Sequence, residues 1–308
     1  MALRFTVLAS GSGGNASLIE ADRFGVLIDA GLGPRQLASR LAGAGLSWLA
    51  VDAVLLTHTH SDHWKDRTFA HLLRRRLPLW CHPDHHAELR TYSPTFPALQ
   101  AEGLVRSFEA GQTFAPVVGL RCLPVPVRHD VATFGFRLEG DADLFGHAAA
   151  LGYVADLGCW DDALVEALAD VDVLALEFNH DEALERTSGR QPALIARVLG
   201  DHGHLSNAQA ASLIRATLDR GGAGRLRHLV QLHLSRDCNR PELARAAARG
   251  VLNELAAAVE VHTAAQDQTG RTLALGDSNG KKRTHRSPRR RSGPGKFEQA
   301  WLPGMEPE

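Results

Sequence analysis

The apolar run Val51-Asp52-Ala53-Val54-Leu55-Leu56 leads straight into Thr57-His58-Thr59-His60-Ser61-Asp62-His63, so three imidazoles and a carboxylate fall within six positions. No other stretch limits the fold as much. The run reads as a buried strand, and the loop leaving it must turn His58, His60, Asp62 and His63 toward one point. A lone His or Asp after a strand usually marks only the chain's arrival at water. Four together are a different matter, because imidazole nitrogen and carboxylate oxygen are the usual protein donors to zinc and similar ions. The spacing predicts a metal-binding loop.

Strands are expected around it. Residues 4–9, 15–21 and 24–30 form a meander joined by the glycine-rich stretch 10–15 and the Asp22-Arg23 turn. Pro34 stands at a first helical position, with Leu37 and Leu41 at helical spacing, and a second helix follows the histidine loop to about Arg76. Further strands are read at 77–81, 104–108, 120–127, 132–138, 149–156, 171–178 and 227–234, and helices near 160–169, 191–200, 206–220 and 240–256. Strands come first in runs and later alternate with helices, which predicts a layered α/β fold.

A chain of 308 residues with 44% hydrophobic side chains is long enough to bury a large core. Cys81, Cys122, Cys159 and Cys238 form no Cys-x-x-Cys pair, so neither a disulfide framework nor a thiolate zinc site is expected. The opening MALRFTVLAS lacks a long apolar core with a cleavage site, and no segment approaches the roughly 20 apolar residues of a membrane span. A cytoplasmic protein is expected. Residues 266–308 hold 9 Lys/Arg against 5 Asp/Glu, leaving 25 against 30 in residues 1–265. A folded domain is therefore expected over 1–265, with a disordered basic tail at 266–308.

Three more candidate ligands end predicted strands: His129, Asp156 and His233. With the first four they make five histidines and two aspartates, enough for two ions if Asp156 bridges them. The order His-x-His-x-Asp-His, then His, Asp and His, resembles the metallo-β-lactamase superfamily. That resemblance implies a four-layer αββα sandwich with its site along one edge. It also implies His58, His60 and His129 on one metal, Asp62, His63 and His233 on the other, Asp156 between them, and Asp29 bracing the loop. Zinc is expected first and manganese second.

The superfamily cuts several kinds of bond. Glu177 followed by Gly203-His204-Leu205-Ser206 before an Ala-rich helix, then by His233-Leu234-Ser235, looks like the tRNase Z and related nuclease branch. More narrowly, residues 4–262 resemble the WalJ/YycJ family, thought to contain 5′ to 3′ DNA exonucleases, although Thr59 stands where that family usually has Glu. The implied reaction is phosphodiester hydrolysis by a hydroxide shared between two metals. Asp62, Glu177 and His204 form the catalytic group, with Glu177 holding His204 protonated toward the leaving oxygen. Helix capping is the alternative role for His204. Ser12, Gly13, Gly14 and Asn15 are candidates for a backbone nest around a substrate phosphate, with His180 and Asn179 lining the site. Rival readings are a glyoxalase II- or lactonase-like small-molecule hydrolase, which has no use for the Glu177 and His204 pair, a non-catalytic nucleic-acid-binding scaffold, and an oxygen-sensing diiron protein. DNA is the favoured substrate. Gln299, Trp301, Leu302 and Pro303 suggest a sliding-clamp docking peptide, with Gly304 where such peptides carry a second apolar group.

Overall fold

The computed structural model describes residues 3–142, 147–222 and 224–276. The first sheet contains β1 (Leu3–Ala9), β2 (Ala16–Ala21), β3 (Phe24–Ile28), β4 (Ala53–Leu55), β5 (Leu79–Cys81) and β6 (Val105–Ser107). The second contains β7 (Phe114–Val117), β8 (Leu120–Val127), β9 (Thr133–Gly140), β10 (Ala150–Val154), β11 (Val173–Glu177), β12 (His228–Leu232) and β13 (Glu260–Thr263). A last short strand, β14 (Leu273–Leu275), returns to the first sheet, giving the orders β14-β1-β2-β3-β4-β5-β6 and β13-β12-β11-β10-β9-β8-β7. Each sheet has an antiparallel part, such as β1-β2-β3 or β8-β9-β10, and a parallel part, such as β3-β4-β5 or β10-β11-β12-β13.

Alternation along the strands explains the layering. Val26 and Ile28 of β3 face the second sheet, and Leu27 between them faces outward. In β11, Val173 and Ala175 face the first sheet while Leu174 and Leu176 face outward. Both faces of each sheet are thus apolar, and each outer face needs helices. α1 (Pro34–Gly43) and α2 (Asp66–Arg75) cover the first sheet with Leu37, Leu41, Phe69 and Leu72. They are joined there by α3 (His85–Tyr92) and α4 (Phe96–Ala101). The second sheet is covered by α5 (Asp162–Leu168), α8 (Asn207–Gly221) and α9 (Pro241–Glu254). Two short helices, α6 (Glu182–Arg186) and α7 (Pro192–Leu199), lie in the connection between β11 and α8. Three cores between four layers make this the expected αββα sandwich.

The folded unit runs past the boundary expected at Ala265. Leu273–Leu275 pairs antiparallel with Leu3–Phe5, and Leu273 and Leu275 enter the core between the sheets. Three residues after a polar stretch are too short a run to stand out in the sequence. The expected disordered tail and clamp peptide beyond Gly276 lie outside the described residues. Among the described residues no helix is long and apolar enough to cross a membrane, and all four cysteines are free thiols.

Candidate metal centre and active site

Strand ends deliver the site. His58, His60, Asp62 and His63 follow β4, His129 follows β8, Asp156 follows β10, Glu177 closes β11 and His233 follows β12. Backbone pairing fixes the ligand loop, since Asn15 N–H donates to Asp62 O at 2.8 Å and Ala30 N–H donates to His63 O at 2.8 Å. Gly31 lies against the same loop. A Cβ there would fall 1.7 Å from Asp62 O, so the chain can pass only without a side chain.

The predicted ligands converge in two sets that meet the geometric need for a metal. Donor atoms of His58, His60 and His129 lie within 4.8 Å of one another, as do those of Asp62, His63 and His233. Asp156 lies between them, with Oδ2 2.8 Å from His63 Nε2 and 3.9 Å from His58 Nε2. His58 Nε2, His233 Nε2 and Asp156 Oδ2 are buried without a hydrogen-bond partner. A buried polar atom left unpaired is costly, and three converging ones match what divalent ions would coordinate. The donor set of imidazoles and carboxylates suits zinc or manganese.

Neighbours set the imidazole tautomers. Asp29 Oδ2 accepts from His63 Nδ1 at 2.8 Å, while Thr57 N–H and Oγ1–H hold Asp29 Oδ1 at 2.8 and 3.0 Å. His63 is thereby left with Nε2 for the cluster. His129 Nδ1 donates to Gly203 O at 2.9 Å, which likewise frees Nε2. Burial pushes Asp156 upward, but His233 and His63 outweigh it and hold the carboxylate well below its ordinary range. Burial keeps His58 neutral, well below the usual imidazole value.

Glu177 carries more than the sequence suggested. Its Oε1 accepts from His204 Nδ1 at 2.8 Å and from His233 Nδ1 at 3.0 Å, and its Oε2 accepts the Leu157 and Leu205 N–H groups at 3.1 and 3.0 Å. Burial would raise Glu177, yet the two histidines carry it down to about 2. Burial would lower His204, yet Glu177 and Asp156 raise it to about 9. His204 precedes α8, whose cap is Ser206, so the capping alternative for His204 is not met. Asp29, Asp156 and His233 all have left-handed backbones, with φ of 61°, 58° and 54°. Non-glycine residues pay on the order of 1 kcal/mol for this conformation, and such residues gather at functional sites.

Two substrate-loop expectations need correction. Asn15 does not join a nest: its backbone N–H is taken by Asp62 O, its Nδ2 donates to Asp62 Oδ2 at 3.1 Å and lies 2.9 Å from His63 Nε2, and its Oδ1 accepts from Gly11 N–H. Gly14 N–H is turned inward to Gly11 O, leaving the N–H groups of Ser12 and Gly13 at an exposed tip. His180 is 0% exposed and cannot touch a substrate at the surface. Its neighbour Asn179 donates Nδ2–H to His233 O at 3.0 Å and so positions a ligand. The sequence pattern gave no role to Asp130, whose Oδ1 lies 3.0 Å from His60 Nε2 and whose Oδ2 binds Arg197 at 2.8 Å. Its place directly after His129 was the available signal.

A family model described as beta-lactamase superfamily domain matches residues 25–223. An exodeoxyribonuclease YycJ of Bacillus anthracis is 30% identical over 280 residues, covering 85% of this chain and 95% of that protein. An exodeoxyribonuclease WalJ of Streptococcus pneumoniae is 28% identical over 249 residues, covering 78% and 85%. The solved metallo-beta-lactamase fold protein YhfI of Bacillus subtilis superposes with a TM-score of 0.63 at 18% identity, covering 89% of this chain and all of that one.

Proposed function

Since the chain belongs to the beta-lactamase superfamily, beside the YycJ and WalJ proteins, we propose that this hydrolase cleaves phosphodiester bonds in DNA from the 5′ end, using two divalent ions. The names of those two relatives support DNA as the substrate. The observation that carries the reading is the Glu177 carboxylate, whose Oε1 ties His204 to the ligand His233. A hydrolase releasing an acidic leaving group has no need of such a pair, whereas a sugar alkoxide leaves poorly unless it is protonated.

His58, His60 and His129 would hold one ion, Asp62, His63 and His233 the other, and Asp156 would reach both. Ions held there would acidify water and offset charge on the phosphate. His204 would give a proton to the departing sugar oxygen, while Glu177 takes the Nδ1–H and keeps the ring in place. Asp29 and Thr57 orient the ligand loop, and Asp130 restrains His60 and His129. A cytoplasmic location accords with four free thiols.

End-labelled single- and double-stranded DNA and RNA, incubated with zinc- or manganese-loaded protein, test the proposal. Progressive release of nucleotides from the DNA 5′ end is the expected result. Intact nucleic acid, with turnover only of thioesters or lactones, would replace it with the small-molecule hydrolase.

A further inference from the structure

A cavity of about 490 Å³ opens beside the metal centre, between the β12–α9 connection and the segment after β13. Ser10 belongs to its wall, and Ser10 Oγ accepts the backbone N–H of His233 at 2.8 Å. One residue therefore separates the cavity from a candidate ligand. Gln266 forms another part of the wall and lies across the glycine loop, so that a Cβ on Gly13 would fall 1.6 Å from its Nε2. Gln266 thus packs between the cavity and the exposed tip formed by Ser12 and Gly13.

Three guanidinium groups line it. Arg236 is paired with Asp267 at 2.7 Å and Arg245 with Glu242 at 3.0 Å, and both acids also belong to the wall. Arg240 is exposed, and among the described residues its guanidinium has no hydrogen-bonded or ionic partner. Three cations against two anions leave one positive charge, and it stands on the side chain with free donors. The volume lies in the range of small-ligand sites, roughly 300–1,000 Å³. A phosphodiester chain threading the metal centre presents a further phosphate one nucleotide away, and an unpaired arginine fork suits it.

We propose that this cavity is a nucleotide subsite, in which Arg240 binds the phosphate adjacent to the one being cleaved. This rests on the nuclease reading above and adds to it a strand path across Ser10. The subsite holds substrate without touching the reacting atoms. Arg240 therefore governs KM for oligonucleotides, and a substrate with a single phosphate diester gains nothing from it.

Metal-loaded wild type, Arg240→Glu and Arg240→Lys are compared on a single-stranded oligonucleotide and on bis(p-nitrophenyl) phosphate over a range of salt. Arg240→Glu is expected to raise the oligonucleotide KM about tenfold with kcat held. The ratio of oligonucleotide to diester efficiency falls with it, and the salt slope drops by about one. Arg240→Lys retains most of the binding. An unchanged oligonucleotide KM in Arg240→Glu, or equal losses on both substrates, overturns the subsite alone. If the wild type turns over the small diester and leaves every oligonucleotide intact, the nuclease reading falls and the subsite with it.

Discussion

Glu177→Gln alters a single charge at the point where the proton donor and a ligand share an acceptor. Glu177 receives four N–H donors, two from imidazoles and two from the Leu157 and Leu205 backbone. The glutamine amide brings its own donors to one end of the group. Backbone N–H groups cannot reverse, but imidazoles can change tautomer, so the amide nitrogen is expected to face His204 and His233. His233 Nδ1–H would then be left with Asp156 Oδ1, 2.6 Å away, as its acceptor, and the ring would lose one of the two carboxylates that hold it in place beside Asp62. Changes to such supporting partners cost about 10–100-fold in metal affinity. His204 would lose the charge that keeps it protonated, and loss of a general acid costs about 10²–10⁴-fold in rate. Metal titration followed by kcat at saturating metal separates the two effects, and both are expected, with kcat reduced at least about a hundredfold. Unchanged metal affinity would refute the shared acceptor, and an undiminished kcat at saturating metal would refute the proton donor.

His204→Ala is expected to lower turnover of DNA by about a hundredfold while metal content stays intact, with p-nitrophenolate esters largely escaping the loss; equal losses on both would point to a positioning effect. Asp156→Asn keeps the side-chain shape and tolerates the left-handed backbone, so it should fold, release both ions by elemental analysis and abolish hydrolysis. His85 should contribute to acid instability. Burial lowers it from 6.5 to about 4, and its Nε2–H is held by Ala132 O at 3.0 Å. The unfolded chain takes up this proton first, so stability is complete above about pH 6.5 and falls by on the order of 3 kcal/mol as pH drops through about 4. Urea unfolding at pH 7 and pH 4.5 should show a smaller loss in His85→Gln than in wild type.

The ligand loop was legible because its donors sit together in sequence and ride on one strand. His129, Asp156 and His233 were legible because each ends an apolar run, and the nuclease branch because Glu177 and His204 stand in recognisable company. What stayed hidden depends on contacts across the fold. Asn15 reaches Asp62 and His63 only because β1 and β4 run in the same direction and end on one side of the sheet, and Gly14, which suggested a phosphate nest, is used for close packing against Gly31. His180 has the composition of a surface residue and is buried by neighbours distant in sequence. The double use of Glu177 needed the spatial approach of β11 and β12, since Glu177 pairs with Leu232, the residue before His233.

The pairing of β1 with β14 has a consequence for synthesis. Leu3–Phe5 is made early, and Leu273–Leu275, which covers its free edge, is made after every other described strand. At roughly 5–20 residues per second, tens of seconds separate the two. Through that interval β1 offers an open edge to any neighbouring nascent chain. Crowded translation, more than heat, is therefore the condition under which this sheet should first go wrong, and a chain cut short before Leu273 should aggregate as it is made.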